Sequence, residues 1–219
     1  MRGKATHGRR NPRHVTGDRR SPGRHAEAMK YIALVSLALV VASGPALAAA
    51  PPETIADNPE MTKMFEADQG ARTGGGPIDW DKLNAEDEAR RVRVKAMLEQ
   101  GLLKSGGDLK RAAFIFQHGD KPEHYLLAHT LAVAAVAAGD ADARWIAAAT
   151  LDRYLQQIGQ PQIYGTQYKR IAQTGHWTQE PFDRTLLNDG IRAVSGVPSL
   201  KQSEERLKEV EEMHRPKSK

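Results

Sequence analysis

Eleven residues in four short runs have types that could do acid–base or binding chemistry: Asp68, Gln69 and Arg72; Gln117 and His118; Asp152 and Arg153; and Gln162, Tyr164, Thr166 and Gln167 within the run QIYGTQ. Brought together they would suit a hydrolase, with His118 as general base and Asp152 orienting its ring. Arg153, Arg72 and the glutamine amides would hold a carbonyl or anionic oxygen. The same residues also suit a scaffold. On a helical wheel of residues 141–158, Asp152 falls between Trp145 and Leu155 on an apolar flank. A carboxylate there needs a partner, and Arg72 or Arg153 would serve, pinning two helices. In that reading the Gln and Thr side chains satisfy the backbone of a tight loop, and Gly165 supplies an angle that other residues resist. The loop follows the helix bearing Asp152, so Gln162, Thr166 and Gln167 are placed to fold back over that carboxylate.

Other chemistries find little here. His118, His124 and His129 are close in sequence, but His124 and His129 stand five apart, about 140° round a helix. Metal ligands on one helix face need a spacing of three or four, so no metal site is expected. Gly74-Gly75-Gly76 is followed by no Lys-Ser/Thr and is not a phosphate loop. No cofactor motif is present. There is no Gly-x-Ser-x-Gly elbow, and the chain has no cysteine, which removes disulfides, thiol catalysis and thiolate metal sites.

The four runs, in this order, resemble an uncharacterised bacterial family, a domain of unknown function marked by D-Q-x-x-R, Q-H, D-R and Q-x-Y-G-T-Q. The resemblance spans roughly residues 61–197. It implies that these positions act together, without implying an activity.

The elements that must position them are helical. Asn58-Pro59 reads as an N-cap with proline at the first helical position, opening a short helix to about Asp68. A flexible linker over 73–77 leads to a longer helix from about Asn84 to Gln100. Asp108 is expected to cap a helix over Leu109–His118, Pro122 to open one through Ala138, and Asp140 to cap a third through Ile158. Gly119, Gly139 and Gly159 end them. The middle helix is apolar almost all round and is expected at the buried centre. With the one after it, it is similar to a tetratricopeptide helix pair, but no second copy appears at that period. A loop or small hairpin is expected near 160–182. Ser199 and Gln202 form a capping-box pattern starting a charged last helix to about Met213. The fold class is thus mainly α, a compact helical bundle of about five to six helices in one domain, 58–213, with a flexible leader at 49–57 and a disordered tail at 214–219.

The charge is unevenly spread. Residues 1–28 hold eight Arg/Lys against Asp18 and Glu27, whereas residues 51–219 hold 23 Lys/Arg and 25 Asp/Glu. The body therefore lacks the basic stripe of a nucleic-acid binder. Residues 29–48 read as a secretory signal peptide: Met29-Lys30, an apolar run Tyr31–Ala42, Gly44-Pro45, and small residues before a cut after Ala48, with Ala50 as an alternative. The run is short for a membrane span, which needs about 20 residues. Residues 1–28 cannot bury a core and are expected to be an upstream extension, with Met29 the initiator; a long basic or twin-arginine n-region is the alternative. The expectation is a soluble periplasmic or extracellular domain. No stable membrane anchor should remain after cleavage, and the partner would be an unknown small molecule or envelope protein.

Overall fold

The computed structural model describes residues 55–215. The upstream extension, the signal peptide, the leader up to residue 54 and the tail beyond Arg215 lie outside the described residues. Among those described there are seven helices: α1 (Pro59–Thr73), α2 (Trp80–Glu99), α3 (Gly106–Phe116), α4 (Pro122–Ala137), α5 (Ala143–Gln157), α6 (Asp189–Val194) and α7 (Leu200–Met213). One two-residue antiparallel hairpin, β1 (Lys169–Arg170) with β2 (Trp177–Thr178), lies between α5 and α6. The mainly helical class and the hairpin agree with the sequence reading, while α6 had not been foreseen.

Helix starts follow side-chain capping, though not always by the residue expected. Asn58 Oδ1 accepts from the amides of Glu60 and Met61, with Pro59 behind it. This helix runs to Thr73 rather than Asp68, because Arg72 reaches back one turn to Asp68 and holds the extra turn. Asp79 caps α2 through the Lys82 amide, so the helix starts at Trp80, four residues before the expected start at Asn84. Ser105, not Asp108, caps α3, its hydroxyl accepting from the Asp108 amide at 2.9 Å. The Asp108 carboxylate instead accepts from the Asn58 amide at 2.8 Å, tying the start of α1 to the start of α3. Asp140 stands two residues before the N-cap Asp142; its Oδ1 accepts from the Asp142 amide at 3.1 Å and its Oδ2 pairs with Lys110 at 2.7 Å. Asp57, expected in a mobile leader, accepts from Ser105 and from Arg111. The Ser199–Gln202 capping box is formed, and His214 closes the last turn of α7.

The core draws Met61 from α1, Val94 and Met97 from α2, Ile115 and Phe116 from α3, Leu131 from α4 and Ile146 from α5. Buried alanines at 112, 113, 128, 132, 135 and 143 let the axes of α3, α4 and α5 approach. Each buried Ile or Leu contributes roughly 1.5–3 kcal/mol against exposure. α4 is not buried all round. Its Ala128, Leu131, Ala132 and Ala135 face α3 and α5, but Leu126 and Val133 are 43% and 49% exposed. Among the described residues α3 and α5 are the helices packed against α4, and the side bearing Leu126 and Val133 stays exposed.

Candidate functional site

The residues singled out from the sequence separate into two networks and one cleft. The first network joins α1, α2 and the end of α3. Asp68 is 1% exposed, and its carboxylate accepts from Arg72 Nη1 and Gln69 Nε2, both at 2.7 Å. His118 Nε2 lies 3.4 Å from the same carboxylate, at ion-pair distance without a well-directed hydrogen bond. Arg72 also donates to Asp87, and Arg90 bridges Asp87 and Glu86 at 2.8 and 2.9 Å. Arg91 donates to the His118 carbonyl at 2.9 Å, fixing the chain where it leaves α3. Gln117, the C-cap of α3, is buried here as well. Burial pushes the Asp68 carboxyl up, but His118, Arg72 and Gln69 together outweigh it and hold it below the usual carboxylate range. This is an alternating ionic lattice in which each charge has an opposite neighbour.

The second network is built on Asp152, which is fully buried in α5. Its Oδ1 accepts from the amides of Ile163 and Tyr164 at 2.8 and 3.0 Å. Its Oδ2 accepts from the Thr166 amide at 2.9 Å and the Thr166 hydroxyl at 2.7 Å. The partner expected for Asp152 was Arg72 or Arg153; the structure supplies a ring of loop donors instead. Four directed bonds to a carboxylate satisfy it without a cation. The expected fold-back of the loop is therefore seen, with Thr166 making the side-chain contact.

Gln162, also fully buried, knots the two ends of this loop. Its Oε1 accepts from the Gln167 amide at 3.0 Å, and its Nε2 donates to the carbonyls of Gln167 and Gln179. Its backbone pairs with Pro181 and Asp183, so the loop is sewn to the chain that follows the hairpin. Gly165 has φ +68°, and a Cβ there would meet the Phe182 ring at 2.7 Å. Only glycine fits on both counts.

Beneath the loop lies a group absent from the sequence reading. Arg192 of α6 is fully buried, donating from Nε to the Pro198 carbonyl at 2.7 Å and from Nη2 to the Tyr164 carbonyl at 2.9 Å. Burial lowers its pKa, while Asp189 and then Asp152 oppose that shift. Arg192 is thus the cation whose field reaches Asp152.

His118 and Asp152 do not form a base and its orienter. His118 faces Asp68, and the oxygens of Asp152 are filled by the loop. The hydrolase constellation loses its second member for that reason. His124 pairs with Asp120 at 3.4 Å and His129 with the Ala147 carbonyl at 2.9 Å, so the histidines have gone to different partners. Among the described residues no cluster of three or more His, Asp or Glu is arranged to hold a metal, and no helix is long and apolar enough to cross a membrane.

Arg153 and Gln167 belong to the cleft. They line an open cavity of about 420 Å³ with Tyr125, Gln156, Gln157, Gly159, Gln160, Lys169 and Pro181. The walls are the end of α5, the loop and β1. Gln167 Nε2 is held by the Ala149 carbonyl and the Thr166 hydroxyl, so the Asp152 network fixes one wall of the cleft. The other wall residues could have been suspected from the glutamine run around Gly159. Asp87 and Arg91 also left a signal, since they fall on the stripe Leu83, Val94 and Met97 that α2 buries.

No protein-family model, no curated protein and no solved structure matches the chain.

Proposed function

We propose that the chain is an exported binding module of the cell envelope that takes a small polar ligand in the cleft between Arg153 and Gln167. The export half rests on the signal-peptide pattern of residues 29–48. The binding half rests on one observation. Each charged side chain of the two networks bonds or pairs through at least one of its polar atoms, although Arg91 Nε, Gln179 Oε1 and Arg192 Nη1 stay unpartnered, whereas the cleft holds whole side chains that bond nothing. Among the described residues, Arg153, Gln156, Gln160 and Lys169 make no side-chain hydrogen bond or ion pair, yet all line one cavity of small-ligand size. In the same reading the four sequence runs mark a family whose members share the Asp152-framed loop and its cleft.

The test is a thermal-shift screen of small polar metabolites on the full chain, with His118→Ala and Gln167→Ala alongside. A ligand should raise the melting temperature of the parent. It should do the same for the His118 variant, and less for the Gln167 variant. Turnover of a screened ester or amide that disappears in the His118 variant would instead establish the hydrolase.

A further inference from the structure

Arg153 differs from the other arginines of the fold. Arg72, Arg90, Arg91, Arg93 and Arg111 each reach a carboxylate within 2.9 Å, and Arg192 reaches two carbonyls. Arg153 is half-buried, its Nε is out of contact with water, and among the described residues none of its nitrogens has a partner. Lys169, brought to the same cavity by β1, likewise has no carboxylate within ion-pair distance among them. Among the described residues no acidic one lines the cavity; the neighbouring acid Glu180 is taken by Arg184 and Asp120 by His124. Burial lowers the Arg153 pKa, and the Tyr125 phenol alone opposes it, the signature of a guanidinium without a counter-ion. Arginine stays charged even so, and a partly desolvated, unpaired cation is unfavourable until an anion arrives.

We infer that the cleft binds an oxyanion, a carboxylate or phosphate carried by a small hydroxyl- or amide-bearing molecule, held by Arg153 and Lys169. This rests on the binding-module reading and adds the ligand class. The guanidinium offers a two-pronged grip that matches either oxyanion. Tyr125 and Gln157 are occupied by the carbonyls of Gly119 and Asp120, so Gln156 and Gln160 remain to bond hydroxyl or amide groups of the ligand. A polyanion is not expected, because residues 51–219 carry slightly more acid than base. The cavity size sets the scale at one sugar acid, sugar phosphate or short peptide acid.

The experiment is calorimetric titration of the full chain with gluconate and with glucose 6-phosphate, which separate carboxylate from phosphate. Inorganic phosphate serves as the bare headgroup and glucose as the neutral control. At least one of the two acids should bind more tightly than glucose. Arg153→Gln should weaken that acid by roughly ten- to a hundredfold, as loss of a hydrogen bond to a charged group implies. Lys169→Gln should weaken it less and flatten its salt dependence, and Arg153→Lys should recover part of the affinity. The melting temperature of unliganded Arg153→Gln should not fall, so lost binding is not lost folding. The inference is overturned if neither acid binds, if an acid binds Arg153→Gln as it binds the parent, or if glucose binds equally well. Equal glucose binding that Gln167→Ala removes would sink the oxyanion and spare the binding module. Turnover dependent on His118 would sink the module itself.

Discussion

Truncating Asp152 to alanine should release the 162–167 loop, and the size of the effect follows from the four bonds its carboxylate accepts. Hydrogen bonds to a charged group contribute about 1.5–3 kcal/mol each, which sets a ceiling near 6–12 kcal/mol. The true loss is smaller, because the carboxylate's own burial is unfavourable and the freed amides can open to water. Breaking a buried hydrogen-bond network is one of the few single changes that exceed the usual ~0.5–3 kcal/mol, and a loss of about 3–5 kcal/mol is expected. In a protein of this size that corresponds to a fall in melting temperature of about 6–20 °C. Asp152→Asn is the finer probe. Its amide oxygen can still face Ile163 and Tyr164, and the Thr166 hydroxyl can turn to accept from the new NH2. The Thr166 amide is then orphaned, and the loss should be about 2–3 kcal/mol. The assay is urea unfolding of the parent and both variants, paired with limited proteolysis to read cleavage between residues 159 and 168. Asp152→Ala should be cut there first, and Asp152→Asn should fall between it and the parent. An Asp152→Ala protein within about 0.5 kcal/mol of the parent, the usual range for an unimportant surface change, would refute the reasoning.

Gly165→Ala should destabilise by at least about 1 kcal/mol, since φ +68° disfavours a side chain and the new Cβ would strike the Phe182 ring; Gly101→Ala, at φ +65° but with open space around it, should lose less in the same melting assay. Asp68 gives a pH dependence. Its folded pKa lies below the ordinary 3.8, so its contribution to stability is present above that value and is lost as pH falls through the folded pKa. Melting temperatures between pH 5 and 2 should therefore drop more steeply for the parent than for Asp68→Asn, and parallel curves would contradict the ion lattice described for Asp68.

The helices and their order were legible in the sequence because capping residues, Pro59, Pro122 and the glycines at 119, 139 and 159 act locally. Their exact starts were not. Asp108 and Asp140 have the right type for a cap, but the Asn58 amide claims Asp108, and Asp140 divides its carboxylate between the Asp142 amide and the tertiary partner Lys110. Asp152 was legible as a buried acid needing partners, since the helical wheel alone puts it on the apolar flank. What supplies those partners was not legible, because backbone amides carry no mark in a sequence and become a binding ring only when the loop folds. Arg192 was missed for a related reason: α6 is six residues long, too short for a periodic pattern, and its arginine is buried by contacts from the far side of the loop. The ionic lattice around Asp68 was not read. Asp68, Arg72 and His118 were singled out, but Arg72 and His118 were assigned to Asp152, and Asp87, although on the buried stripe of α2, was passed over with Arg90 in the dense charge of that helix.

The separation of His118 from Asp152 is what sets the binding module apart from the hydrolase, and a double-mutant cycle measures it. His118→Ala and Asp152→Asn, alone and combined, should be additive in unfolding free energy to within about 0.5 kcal/mol, as for residues that share no partner. His118→Ala with Asp68→Asn should couple more strongly, because that pair is in contact. An interaction energy above about 1 kcal/mol between His118 and Asp152 would place them in one network and restore the hydrolase constellation.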